Sequence, residues 1–358
     1  MKILDWYIIK KFLGTFFFTL ALIILIAVIF DASEKMDDFI EKHAPFRAIL
    51  FDYYLNFIPY FANLFSPLFI FIAVIYFTSR MAADTEIVAI LNSGMSFRRL
   101  MLPYFIAASF LALVSFYFNG WVIPRANKNR LAFEYAYVRN PYVFKDRNLH
   151  RQISPGTLIY MDSYNSRENI GFRFSLEQIK DGKRVYFLNS DRIRWDSIPR
   201  KWVIENYYIR KLNGMNEEVR KGLRFDTTLS FEPKDFQQRI SSIDAMDNRV
   251  LSEFIDELKL QGNSSVTAYQ VEKYRRISFP FATFILTLIG VSLASRKVRG
   301  GIGFHVGAGI ALSFIYILFI QVSTTYATNG DLPPLLAVWI PNIIFSGIAI
   351  ALFRNAPK

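Results

Sequence analysis

From residue 12 to residue 30 the chain carries no charged side chain. A helix of that length reaches about 28 Å, close to the ~30 Å hydrocarbon core of a bilayer. The stretch is longer than the apolar part of a secretory signal, and no small-residue cleavage site follows, so it reads as a retained anchor. Ahead of it, residues 3–10 mix Trp6, Tyr7 and Lys10 with aliphatic side chains, which suits a short helix lying in the interface. Five further apolar blocks follow, at 54–78, 100–123, 277–294, 302–327 and 335–353. Pro59, Pro67, Pro103 and Pro280 fall inside or beside them, which a membrane helix tolerates when neighbouring helices satisfy the freed backbone groups.

Hydrophobic residues make up 53% of the chain and charged residues 20%, gathered into these blocks rather than dispersed. That distribution excludes an ordinary cytosolic enzyme and a disordered chain. The absence of cysteine removes disulfides, thiolate metal sites and a cysteine nucleophile. His43, His150 and His305 are too scattered to suggest a metal site. No phosphate-binding G-x-x-x-x-G-K-[ST] loop, H-E-x-x-H or G-x-S-x-G occurs, so the chain is not expected to hydrolyse ATP or to be an enzyme. The acids Asp162 and Glu168, or Asp191 and Asp196, read as solvated strand or turn residues. The net charge of +12 reads as a positive-inside bias and contact with anionic lipid, not as nucleic-acid binding.

Six spans place both termini on one side. The segments 1–11, 80–99, 296–301 and 354–358 hold Lys2, Lys10, Lys11, Arg80, Arg98, Arg99, Arg296, Lys297, Arg299, Arg354 and Lys358, against Asp5, Asp84 and Glu86. The opposite loop, 31–52, is acidic. Both termini are therefore expected in the cytoplasm, with the long middle segment outside. Within that segment, 156–164, 170–180, 184–195, 201–212 and 218–229 read as strands. Phe172, Phe174 and Leu176 alternate with Arg173 and Ser175, while Asp181-Gly182 and Asn213-Gly214 mark hairpins. Helices are expected at 126–138 and at 252–260, the latter capped by Ser252 and ended by Gly262. The predicted fold is thus an α-helical membrane protein with six transmembrane helices, three before and three after an inserted β domain of sandwich or open, jellyroll-like form. Its parts are residues 1–123, 124–276 and 277–358.

The loop between the second and third spans carries a short amphipathic helix at about 84–94. Asp84 is its expected cap, Ile87, Ile90 and Leu91 form one face, and Gly94 ends it. The pattern alone fits either a connector in the interface or a docking helix offering Glu86 to a cytoplasmic partner. In the fifth span Gly303 and Gly307 form a small-residue stripe suited to a dimer seam or a tight intrachain crossing. An interhelical hydrogen bond is the expected role of His305.

These pieces resemble a known family. Leu4-Asp5-Trp6-Tyr7-Ile8 is similar to an L-D-R-Y-I start found on its G side, with Trp6 in place of arginine. Glu86-Ile87-Val88-Ala89-Ile90 followed by Ser93-Gly94-Met95-Ser96 resembles its coupling helix. Asn119-Gly120-Trp121-Val122-Ile123-Pro124-Arg125-Ala126-Asn127, Tyr274-Arg275-Arg276-Ile277-Ser278-Phe279-Pro280 and Trp339-Ile340-Pro341-Asn342 resemble flanks of its third, fourth and sixth spans. Together they identify the chain as resembling the LptF/LptG (YjgP/YjgQ) permeases of lipopolysaccharide export, closer to the G-like side. The resemblance implies a bacterial inner-membrane subunit with a periplasmic β-jellyroll-like domain. It also implies a heterodimer with a homologous permease, an LptB-like ATPase dimer, an LptC-like single-span protein and a periplasmic LptA-like bridge. ATP and magnesium would belong to the ATPase, with no cofactor or metal on this chain. Glu86, Ile87, Ile90, Leu91 and Gly94 would form the ATPase-coupling helix.

Lipopolysaccharide joins phosphorylated sugar to many acyl chains, so its path needs an apolar wall topped by cations. Phe16, Phe17, Leu22, Ile26 and Phe30 are the candidate wall. Lys35, Arg125, Lys128, Arg130, Arg275 and Arg276 are the candidate phosphate contacts, although each alone would also serve as an ordinary interfacial anchor. The competing functions are a secondary transporter, which would need midplane ionisable residues, and a membrane-anchored structural or sensory protein.

Overall fold

The computed structural model describes residues 2–138, 147–214, 216–233, 240–260, 262, 265–295, 301–330 and 332–356. The bases Arg296, Lys297, Arg299 and Lys358 used for sidedness lie outside the described residues. The chain forms two compact units. A helical unit comprises Met1–Arg139, Ile243–Leu251 and Thr267–Lys358, and a β unit comprises Asn140–Ser242 and Ser252–Val266.

The helices are α1 (Ile3–Glu41), α2 (Phe46–Ala48), α3 (Leu55–Ala83), α4 (Glu86–Asn92), α5 (Phe97–Tyr117), α6 (Ile123–Tyr137), α7 (Asn248–Leu260), α8 (Val266–Ser278), α9 (Phe281–Ala294), α10 (Gly301–Asn329) and α11 (Pro334–Arg354). Among the described residues five helices are long and apolar enough to cross a membrane by themselves. The pair α8–α9, bent by 51°, makes a sixth. No separate interfacial helix precedes the first span. Residues 3–41 form one helix, because nothing between Lys10 and Phe12 breaks it and Ile8, Ile9 and Phe12 bury in the same core.

The bundle is apolar inside and out. Ile8, Phe12, Ile70, Val74 and Tyr104 pack in its interior, while Phe18, Leu25, Ile29, Phe314 and Val322 are exposed on its flanks. That is the pattern of a protein whose solvent is lipid. Some polar groups inside the bundle are paired with one another. Asn63 donates to Asn119 (3.0 Å) and accepts from Ser115 (2.7 Å), tying α3 to α5 and the π-helical turn Phe118–Val122 that follows it. A second π-turn, Ile49–Tyr54, precedes α3, where Asn56 Nδ2 donates to the carbonyls of Phe51 and Asp52.

The α8–α9 break has a local cause. Around Pro280 the Ala282 amide bonds to Phe279 instead of Ser278, so the Ser278 carbonyl loses its helical partner. Asn342 Nδ2 of α11 takes that carbonyl at 3.1 Å, and Asn342 Oδ1 accepts from Tyr316 of α10 at 2.7 Å.

Of the two roles open to Gly303 and Gly307, the tight intrachain crossing is not made among the described residues. Both glycines face open space, whereas Gly309 lies against Ile75 and Gly290 against Phe71 and Val74. The helix turns by about 100° per residue, and in a span that is apolar all round only the fold determines which glycines meet a neighbour.

In the β unit β1 (Arg147–Ser154), β2 (Thr157–Asn165), β3 (Ile170–Lys180), β4 (Lys183–Asp196), β5 (Lys201–Asn213) and β6 (Asn216–Thr227) form one antiparallel sheet in sequential order. The open-sheet form of the expectation holds; among the described residues no second sheet makes a sandwich. Phe174 and Leu176 are buried as their alternation predicts, but Phe172 is exposed, next to Arg173 whose positive φ (50°) departs from regular strand backbone; Trp202, fully buried, donates Nε1 to the Phe231 carbonyl at 2.8 Å. Asp181 and Gly182 both have positive φ (52° and 74°), the backbone of a two-residue hairpin. The polar first strand was not legible as one. Only Leu149 and Ile153 pack on the core, and His150 lies beside the Tyr160 ring instead of in a loop. Helix α7 also starts earlier than expected: Asp247, not Ser252, caps it, accepting from the amides of Arg249 and Val250.

Candidate functional site: a seated loop helix and a basic collar

Helix α4 sits at the end of the bundle where α1 begins. Its entry residue Thr85 adopts a left-handed backbone (φ 61°) and its side chain makes no cap bond; Asp84, the expected cap, instead ends α3. Gly94 closes the turn at φ 85°, with its amide on the Leu91 carbonyl. Ile87 is 1% exposed and belongs to the main core, with Ile90 and Leu91 packed against it. The apolar face therefore seats α4 on its own bundle and is not itself an open docking face. What faces outward is Val88, Ala89, Asn92 and Ser93, with Glu86 half-buried at the rim. Glu86 accepts from the Tyr7 hydroxyl at 3.2 Å.

A further tie was not foreseen. Arg99, three residues into α5, donates both terminal nitrogens to Asp5 at 2.7 Å, and the Lys2 amide completes that carboxylate at 2.8 Å. Asp5 is 2% exposed. The pair joins the starts of α1 and α5 on either side of α4. Its members stand 94 positions apart, and the only sequence signal was an acid in a helix's first turn.

At the opposite end of the bundle lie the six basic candidates, and they divide into two kinds. Lys35 is held by Asp31 (2.6 Å) and the Tyr53 hydroxyl. Arg130 pairs with Glu134 (3.5 Å) and stacks over Tyr60. Arg275 pairs with Glu272 (2.6 Å) and reaches Asp244 at 4.0 Å. Arg276 is 4% exposed. It donates to Glu272 (3.0 Å), Asn248 (3.0 Å) and the carbonyls of Ile243 (3.0 Å) and Met246 (2.7 Å). Its guanidinium is consumed by the protein, so it is a clamp on residues 243–248. Burial, and next the nearby Glu272 carboxylate, push the Asp244 carboxyl above its usual range.

Arg125 and Lys128 are exposed, and among the described residues neither is in an ion pair. Arg125 opens on a groove of about 300 Å³ that also touches Asn56, Trp121, Tyr117 and Asn129. Of the wall candidates, Phe17, Leu22, Ile26 and Phe30 are exposed along α1. Phe16 is 3% exposed, packed into the core one residue round the helix from Phe17, and does not belong to an open wall.

A bundle that is apolar outside, polar-clamped at both ends and interrupted by a β unit defines a multi-pass integral membrane protein. Residues 6–355 match the family described as lipopolysaccharide export system permease LptF/LptG, and the chain belongs to that family. It is 22% identical over 307 residues to the lipopolysaccharide export system permease protein LptF of Escherichia coli (strain K12), Escherichia coli O157:H7 and Shigella flexneri. These matches cover 82% of this chain and 79% of each relative.

Proposed function

We propose that this chain is a transmembrane subunit of an ATP-driven lipopolysaccharide exporter. It would draw the glycolipid from the outer leaflet of the inner membrane and pass it to a periplasmic bridge. In this reading both termini and α4 are cytoplasmic and the β unit is periplasmic. The subunit pairs with a homologous permease, engages an ATPase dimer below and a single-span protein at its side, and performs no chemistry itself. The observation that carries the proposal is the seating of α4: a short loop helix rigidly anchored by Ile87, with Glu86 at its outer rim, in a chain matched along nearly its whole length by a permease family. A flexible loop would absorb a push from a partner, whereas a helix plugged into the core transmits it.

Leu22, Ile26 and Phe30, which share one exposed face of α1, are the proposed acyl wall; Phe17 is exposed on the opposite face. Arg125 and Lys128 are the headgroup contacts, since among the described residues they have no ion-pair partner to give up. Lys35, Arg130, Arg275 and Arg276 shape that collar from behind. The bare Gly303 and Gly307 face of α10 suits close approach by a helix of another subunit.

Co-purification tests the proposal. The tagged full-length chain, extracted in mild detergent and analysed by mass spectrometry, should bring down a cytoplasmic ATPase and a second permease. Recovery of no ATPase would refute it. Whether the chain is the F-like partner, as its relatives are named, or the G-like one follows from which homologue accompanies it. Glu86→Ala should reduce ATPase recovery about 10-fold, as loss of one interfacial charge pair does, with unchanged thermal stability of the chain.

A further inference from the structure

Lys10 and Lys11 mark the start of the first span and have no part in the transport reading. Beside them α1 and α3 diverge and leave a groove of about 490 Å³. Its mouth is formed by the two lysines, its floor by Gly14, and its walls by Phe18 of α1 with Ile72 and Tyr76 of α3. We propose that this groove binds one anionic phospholipid of the adjacent leaflet. The phosphate would lie on Lys10 and Lys11, and one acyl chain would run over Gly14 between the aromatic and aliphatic walls.

Depth, charge and shape agree on that occupant. The charge-free stretch that follows Lys11 is about 28 Å long as a helix, so its first residues lie at the phosphate plane when its middle lies at the bilayer centre. Both ammonium groups stand over aromatic rings one turn back, Lys10 over Trp6 at 5.3 Å and Lys11 over Tyr7 at 5.8 Å. Among the described residues neither lysine is in an ion pair, and the nearby Asp5 carboxylate is already taken by Arg99 and the Lys2 amide. Two adjacent cations without a protein anion favour a headgroup of net negative charge over a zwitterion. Below them Thr15 and Thr19 also line the groove, Thr19 donating its hydroxyl to the Thr15 and Phe16 carbonyls, and the rest is mainly apolar, which favours a chain attached to a phosphate over a free phosphate. Gly14 lines the groove and leaves space beside it: a Cβ there meets no neighbouring heavy atom within 4 Å.

That last point supplies a test that leaves the fold intact. The full chain in non-ionic detergent would be titrated with phosphatidylglycerol, and with phosphatidylcholine as the neutral control, and bound lipid counted by native mass spectrometry. The wild type should retain one phosphatidylglycerol at concentrations where phosphatidylcholine is not held. Lys10→Gln/Lys11→Gln should weaken that retention about 30-fold, each lysine near an anionic headgroup being worth roughly a factor of five. Gly14→Phe should abolish it with both charges present, and the smaller Gly14→Leu should weaken it. Thermal midpoints should match the wild type throughout. If the lysine pair matters but both Gly14 variants bind normally, the cations act as a diffuse collar and the groove is not a site. If neither change alters retention, or if about 10 mM inorganic phosphate displaces the lipid completely, the proposal is overturned.

Discussion

The two ends of the helical unit solve the same problem differently. At the end that holds α4, one bidentate ion pair, Asp5–Arg99, and one apolar plug, Ile87, fix three helices. At the other end Arg130, Glu134, Asp244, Glu272, Arg275 and Arg276 form a charge network that fastens residues 243–248 to α8. At the first end α4 itself turns uncharged side chains outward, Val88, Ala89, Asn92 and Ser93, with exposed Arg80, Asp84 and Arg98 in the flanking turns. Of its six basic candidates, the second leaves Arg125 and Lys128 exposed and, among the described residues, outside any ion pair. Charge at the end of a span is therefore no guide to what it binds; the availability of protein acceptors decides.

Arg276→Ala should break the contrast most severely. It strips two backbone carbonyls, an asparagine and a carboxylate of their donor, and loss of one member of a buried ionic cluster costs roughly 3–5 kcal/mol. A lowered thermal midpoint in detergent would register it, and Arg276→Lys should recover only part, because an ammonium cannot span the fork. At the α4 end Ile87→Ala should cost about 2–4 kcal/mol through the cavity it leaves. It should also expose residues 84–96 to limited proteolysis and lose the ATPase, while Glu86→Ala loses the ATPase alone. Arg125→Ala/Lys128→Ala should sharpen the distinction: stability should change by no more than about 0.5 kcal/mol, while stimulation of the partner ATPase by lipopolysaccharide falls. Unchanged stimulation would make these two residues plain anchors.

The smallest effect is expected from Asp244→Asn. Because the folded chain raises the Asp244 carboxyl above its usual range, it holds that proton more tightly than the unfolded chain. Stability from this group is thus greatest below the ordinary carboxylate range and declines as pH rises through the raised value. The variant should flatten that decline, shifting the thermal midpoint at neutral pH by roughly 2 °C or less. A steeper decline in the variant would show that the Arg275 contact, not burial, dominates.

Much of this architecture was legible in one dimension because hydrocarbon thickness sets the length of a charge-free block. The six spans and the alternating strands around Phe174 and Leu176 follow from that and from the period of a strand. Phase was not legible: where every face of a helix is apolar, nothing distinguishes Phe16, packed inward, from Phe17, exposed. Nor was pairing, since the carbonyls that occupy Arg276 lie some 30 positions away and carry no side-chain signature. On α4 the amphipathic face was readable, but not that Ile87 faces its own bundle. The edge strand β1 was hidden by its polar composition.

Helix α1 runs unbroken for 39 residues, about 58 Å, nearly twice the hydrocarbon thickness. One extremity is riveted by Asp5 to Arg99; towards the other, Phe39 packs among Tyr53 and Phe133. Such a rod works as a lever arm. A tilt of roughly 10° about the riveted extremity would carry the far one about 10 Å sideways, so a small turn at one end of the bundle becomes a stroke of molecular size at the other.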